Sequence, residues 1–346
     1  IQTFSPFDRE GFSLSLEGGM GEQNLGNGDV EKLNGRLSYS NDRFGAVVYA
    51  SNNSREQITD NREYNLEQTP HGLIVNELDL RNYAITREDN AYGGSLEFRP
   101  SESSRFFIST LFSEFIDDEQ RNQFVFEFFD EDNPGFGIAG LPLQPNAGYQ
   151  PVVLASRLLQ NGEYSNSTAT TTLGADFEVA GWRIEGRLNY TETTNDTNLP
   201  IPRSVGGAIA ASYDVTDIRD PIVNLFEAGT QNPISVNDIE YALDLAILVN
   251  FGLDTEATKI KFDAERDLQM FGTDSVVKLG FAIDQRKADG GSLIGFGGFP
   301  SDVSIDSFLT ADSWETDFTN SIDGRYYDNG GLVSAWEASV GGFDSP

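Results

Sequence analysis

Trp182-Arg183-Ile184-Glu185-Gly186-Arg187-Leu188-Asn189-Tyr190-Thr191-Glu192-Thr193 decides how this chain is read. Trp182, Ile184, Gly186, Leu188 and Tyr190 point one way. Arg183, Glu185, Arg187, Asn189 and Thr191 point the other, because side chains alternate along a strand with period two. One face is apolar with an aromatic at each end, and the other is charged. A soluble sheet shows this pattern where one side lies on a core. A transmembrane barrel shows it repeatedly, since lipid and a wet lumen take alternate residues along every strand.

The pattern recurs. The odd or even residues of Phe12–Met20, Leu33–Tyr39, Tyr92–Phe98, Leu173–Phe177, Ile260–Ala264 and Val277–Ile283 form apolar sets interleaved with polar ones. Short connections alternate with long ones. Turn chemistry sits at Asn41-Asp42, Pro100–Ser104, Val179–Gly181 and near Gln269–Asp274, whereas the stretches 54–79, 119–163, 194–253 and 289–346 read as long loops. Together these features predict an all-β chain: an antiparallel meander forming a partial transmembrane β-barrel, with short periplasmic turns and long extracellular loops. The expected strands are 11–21, 32–40, 43–54, 81–99, 105–116, 166–178, 182–193, 255–268 and 275–287. Parity is ambiguous in 43–54 and 105–116, and Phe106, Ile108 and Phe112 are assigned outward. Ile184, Leu188, Ile260, Phe262, Leu279 and Phe281 are expected on the convex, lipid-facing side. Arg183, Arg187, Lys261 and Asp263 are expected on the concave side. Within the long loops, Ile239, Leu243, Ala246 and Ile247 have helix-like spacing, so Val236–Phe251 is the best helix candidate, with loop packing as the plainer reading.

Composition narrows the function classes. The chain has 55 acidic and 23 basic residues, a net charge of −32, which argues against nucleic acid as a partner. Cysteine is absent, excluding disulfides, thiolate chemistry and Cys-based zinc sites. One histidine, His71, excludes multi-histidine metal centres. No apolar run is long enough for a transmembrane helix.

The N-terminal stretch Ile1-Gln2-Thr3-Phe4-Ser5-Pro6-Phe7-Asp8-Arg9-Glu10-Gly11-Phe12 resembles the junction between plug and barrel in a TonB-dependent outer-membrane receptor. Leu33–Ala50, Arg81–Arg87, Leu96–Ser101 and Thr110–Phe115 leading to Asp118–Asn122 resemble the first strands of such a barrel. The resemblance covers about residues 1–195 through short strand motifs, and the remainder by pattern alone. It implies residues 1–10 as the end of a plug or linker and 11–346 as a partial barrel of about nine strands, without plug or C-terminal strands. It also implies a cell outer membrane of the Gram-negative kind, with lipid around the barrel. An extracellular small-molecule ligand would be captured by the loops, and a TonB-type energising complex would act through the plug. Siderophore, cobalamin and oligosaccharide classes remain open. Competing readings are a secreted or surface-attached acidic β-rich module resembling a calcium-dependent adhesin, and a passive porin.

Phe124–Gly135 is the densest mix of rings and carboxylates. Phe128, Phe129, Asp130 and Asp132 are the lead substrate-binding candidates, with rings to stack and acids to bind polar or cationic groups. The competing reading is a hairpin extending the fifth strand, its aromatics packed and its acids solvated. Phe136, Gly137, Gly140 and Tyr149 are weaker additions. Asp130 and Asp132 lack the calcium-loop pattern, and no metal or cofactor is implied. Gly290–Phe299 lacks the Lys-Ser/Thr of a phosphate loop and reads as a flexible outer loop. Arg183, Glu185, Arg187, Lys259, Lys261, Asp263 and Glu265 could guide a substrate along the lumen or pair with one another. No catalytic signature is present.

Overall fold

The computed structural model describes residues 5–69, 72–128, 146–219, 222–270, 272–316 and 324–340. Nine strands run as an antiparallel meander: β1 (Gly11–Glu22), β2 (Asp29–Ser40), β3 (Phe44–Thr69), β4 (Gly72–Ser101), β5 (Ser104–Glu127), β6 (Ala147–Val179), β7 (Trp182–Gly206), β10 (Tyr241–Met270) and β11 (Thr273–Gly297). The sheet is not closed. Between β7 and β10 the chain inserts a hairpin, β8 (Ile209–Asp214) and β9 (Ile222–Glu227), which extends the upper part of β6. After β11 come the small hairpin β12 (Leu309–Ser313) and β13 (Arg325–Tyr327) and one helix, α1 (Asn329–Val340).

All nine expected strands are present, and most are longer than alternation revealed. The expected loop 54–79 is largely strand, since Asn53 to Thr69 pairs with Gly72 to Asp89. Ser51–Thr69 is polar on both faces along most of its length, so backbone pairing holds it without an apolar period to read. Val236–Phe251 forms neither the candidate helix nor, past its first residues, the packed loop of the plainer reading. Val236–Asp238 is a single 3-10 turn capped by Ser235, and the rest is the start of β10, paired with β7. A bulge between Leu243 and Leu245 breaks the two-residue period there and leaves spacings that imitate a helix. Likewise Gly290–Gly297, expected as an outer loop, is the upper end of β11.

The four tight connections lie together at one end of the sheet. At the β6–β7 turn Ala180 (φ 51°) and Gly181 (φ 75°) both adopt the left-handed backbone that a two-residue hairpin with the native twist requires. At Asn41 the side chain accepts from the N–H groups of Arg43 and Phe44. The longer connections lie at the opposite end, where β3 and β4 alone pair right up to Thr69 and Gly72 and join through two residues.

One row crosses all nine strands: Phe12, Tyr39, Ala46, Leu96, Ile108, Leu173, Leu188, Ile260 and Ile283 are successive cross-strand partners. Every member is apolar, and those with large side chains are 39–71% exposed. On β2 and β4 the opposite face is more sheltered: Glu97 is 1% exposed, Ser38 5% and Ser40 3%. Phe106 and Ile108 lie on the exposed face, as expected, and Phe112 stacks on Tyr92 there at 4.8 Å. The six residues assigned to lipid and the four assigned to the lumen fall on opposite sides of the sheet.

The shared row is the bottom of the apolar band on β1 and its top on β11. Above Phe12 come Leu14, Leu16 and Met20; below Ile283 come Phe281, Leu279 and Val277. Met20 lies eight residues beyond Phe12, and Val277 six before Ile283. The band therefore slides about one residue per strand. With a rise of ~3.3 Å and a spacing of ~4.8 Å, a level band requires strands tilted by ~35°, within the range that closed barrels adopt.

Candidate functional site

The sheltered polar face is wired by ion pairs. Glu97, its side chain fully buried, accepts from Arg99 (2.6 Å) and Arg105 (2.9 Å). Arg105 reaches Asp176 at 3.3 Å, and Arg187 also pairs with Asp176. The Phe107 ring lies directly over Gly174, where a Cβ would come within 2.1 Å of it, so glycine is what allows the ring to lie flat on β6. Arg105 and Arg187 both sit over that ring, at 4.3 and 5.2 Å. Arg183 bonds Glu265 (2.6 Å) and Asp267 (2.7 Å), Lys261 bonds Asp263 (2.5 Å), and Lys278 lies 3.7 Å from Glu265. The candidate lumen charges are thus largely neutralised against one another. Glu185 and Lys259 share this face.

Above the band, the same sheet face that is bare below is covered. Leu78 and Leu80 of β4, Phe124 and Phe126 of β5, and Val153 and Ala155 of β6 keep the parity of Leu96, Ile108 and Leu173. They form a core with Ile209, Tyr213, Leu225, Val236 and Trp314 from the inserted elements. Arg157 is buried in this head at 1% exposure, its guanidinium 4.0 Å from the Phe124 ring and 4.1 Å from that of Tyr327. It donates to the Arg325 carbonyl at 3.2 Å. Burial pushes its pKa down, while the neighbouring Tyr327 and Tyr241 oppose that shift.

Phe128, proposed for ligand contact, is 1% exposed inside this core and meets Tyr213 edge-on at 6.0 Å. Its aromatic character was legible; its place in the core depended on the inserted hairpin β8–β9. Phe129, Asp130 and Asp132 lie outside the described residues, as do Phe136, Gly137, Gly140 and His71. Tyr149 is buried, and its hydroxyl donates to the Thr230 carbonyl.

A different group of acids is brought together between band and head. Glu56, Thr86, Asp118, Glu163 and Asn198 are successive cross-strand partners in one row. With Gly26 and Gly28 of the β1–β2 connection they line a cleft of about 580 Å³, within the usual size range of small-molecule sites. Asp118 and Glu163 are directly opposed, so their charges repel and favour a cationic or hydroxyl-rich guest. On the other side of the sheet Glu119 accepts from Gln160 at 2.6 Å. Burial, helped by the charge of Asp117, raises its pKa. Among the described residues no group of three or more His, Asp or Glu side chains is arranged to hold a metal ion. The acid run Asp117-Asp118-Glu119 is visible in the sequence, but its partners Glu56 and Glu163 become neighbours only once the register is known.

No family model matches the chain, and no curated protein or solved structure matches it either. What the chain does has to be read from its own geometry. That geometry offers three surfaces: a bare apolar band, a sheltered polar face with paired charges, and an acidic cleft at the long-connection end.

Proposed function

We propose that the chain forms part of the barrel of an energy-coupled outer-membrane receptor of the TonB-dependent kind, importing a scarce ligand such as a siderophore, cobalamin or oligosaccharide. The observation that carries the membrane half is the slanted, exposed apolar band. On β7 it runs from Trp182 to Tyr190, eight residues, or ~26 Å of strand. Tilted by ~35°, that covers ~21 Å, close to the apolar band of ~25 Å on outer-membrane barrels. Aromatics mark both margins, with Trp182 below and Tyr92, Phe112 and Tyr190 above. Lipid satisfies this face at every strand, whereas a soluble partner would have to match a band that climbs across nine of them.

The receptor half has narrower support. The Ser5–Asp8 segment lies on the polar face, where Pro6 and Phe7 crowd Gly45 and Arg99 sits 3.8 Å from the Phe7 ring. The chain thus reaches β1 from the side a plug would occupy. The long connections and the acidic cleft share the end where an extracellular ligand would first arrive.

The chain has no cysteine, so single cysteines can be placed at will. Leu188→Cys and Leu279→Cys, labelled with an environment-sensitive dye, should be quenched in vesicles by brominated acyl chains. Thr172→Cys and Asn189→Cys on the polar face should not. Equal quenching at all four sites would overturn the membrane reading. For transport, ligand uptake by the intact protein should stop when the inner-membrane energising complex is disabled; undiminished uptake would make it a passive porin instead.

A further inference from the structure

Within the apolar face lies a groove of about 650 Å³. Ala175 and Gly186, cross-strand partners, are the smallest of the lining residues on this face. Phe98 and Phe106 stand on one side of them, Phe262 and Phe281 on the other. Phe262 and Phe281 stack at 5.8 Å, which fixes that wall. A Cβ at Gly186 would meet nothing closer than 4.0 Å, so the groove floor is open space rather than filled backbone. Four residues down β10 from Phe262, on the same face, is Arg266. Among the described strand residues of this face, from the shared apolar row down to the turns, it is the one charged side chain. No carboxylate among the described residues pairs with it; its guanidinium lies 5.8 Å from the Trp182 ring.

A cation alone at the margin of an apolar band needs a negative counterpart from outside the protein, because leaving it unpaired at the edge of hydrocarbon is costly. The separation between Arg266 and the groove floor, four residues or ~13 Å of strand, is ~11 Å of depth at a ~35° tilt, close to half of the ~25 Å apolar band of outer-membrane barrels. We propose that this groove and Arg266 together form a site for one anionic glycerophospholipid of the leaflet at the turn end, its acyl chain lying over Ala175 and Gly186 and its phosphate on the Arg266 guanidinium. The site rests on the membrane reading above. It adds to that reading a preferred lipid with a fixed position, where a uniform lipid annulus would have none.

Trp182 reports on the site directly, since Trp314 and Trp336, the other tryptophans, are buried in the head. The protein is reconstituted in phosphatidylcholine vesicles doped with phosphatidylglycerol carrying brominated acyl chains, and Trp182 fluorescence is followed. Saturable quenching is expected at low mole fractions of the brominated lipid, about tenfold below those needed with brominated phosphatidylcholine, the discrimination of one charge-assisted contact. Arg266→Gln should erase the preference. Gly186→Phe, whose Cβ would meet nothing closer than 4.0 Å, should weaken quenching while leaving Arg266 in place. Quenching that is equal for both lipids and unchanged in both variants would overturn the site and leave the membrane reading standing. No quenching by either lipid would overturn both.

Discussion

The lower and upper halves of this sheet use one face in opposite ways. From Phe12 to Phe281 most large apolar side chains of that face are bare, and behind them Glu97 is buried. In the head, residues of the same parity, Leu78, Phe124 and Ala155, are buried against β8, β9 and the β12–β13 hairpin. Strand chemistry is similar in both halves. What differs is the cover: protein above, and on our reading lipid below. Apolar alternation therefore reports that a face must be covered, and the length of the following connection reports whether the chain supplies the cover itself.

The sharpest way to break this comparison is to make the same truncation in both halves. Phe124→Ala should cost ~3–5 kcal/mol, because it opens a cavity in a filled core. Phe281→Ala in vesicles should cost under ~1.5 kcal/mol, the worth of its stacking on Phe262, since lipid fills the gap. Denaturant unfolding of protein folded into vesicles measures both, and equal losses would mean the lower face also packs on protein. The next largest effect is polarity. Leu188→Arg should cost ~2–4 kcal/mol near the bilayer midplane, with Arg187→Leu, one residue along and on the other face, costing less. The reverse order would invert the assignment of faces.

The smallest effect is a pH response of the head. Glu77, through burial and the charges of Asp79 and Glu127, and Glu119, through burial and Asp117, both have raised pKa values. In the folded state they hold protons more readily than in the unfolded chain, so their contribution is present at low pH and lost as pH rises through the raised values. Asp214, lowered by hydrogen bonds from Thr216, acts the other way, its contribution being lost as pH falls. Protection of the amides in the upper parts of β4 and β5, corrected for the intrinsic pH dependence of exchange, should rise as pH falls through the raised values of Glu77 and Glu119, and Glu119→Gln should flatten the response. A matching change at Leu96–Ile108 in the band would show that the two halves open as one unit.

The halves also differ in how well the sequence reveals them. In the band the period-two pattern of Trp182–Thr193 and its six repeats marks seven strands with their faces, and leaves only the parity of 43–54 and 105–116 ambiguous. Above it that pattern lapses. Ser51–Thr69 is mostly polar whichever way it points, Tyr241–Phe251 carries a bulge that disguises its period, and the Phe124–Phe128 rings look the same exposed or packed. The acidic row Glu56–Asp118–Glu163 draws on three strands whose register is set by pairing far below it, so no local stretch contains the site.

The Ser5–Asp8 segment and β1 also have a mechanical meaning. A pull on the chain ahead of Ser5 enters the sheet at Gly11, the turn-end residue of β1, and runs along the strand. All twelve residue pairs between β1 and β2, from Gly11–Ser40 to Glu22–Asp29, lie across that line of force. Ladder bonds in an antiparallel pair stand perpendicular to the strands, so they are loaded together in shear and not peeled one by one. Pulled along β1 from its Gly11 end, the twelve pairs therefore resist as one unit.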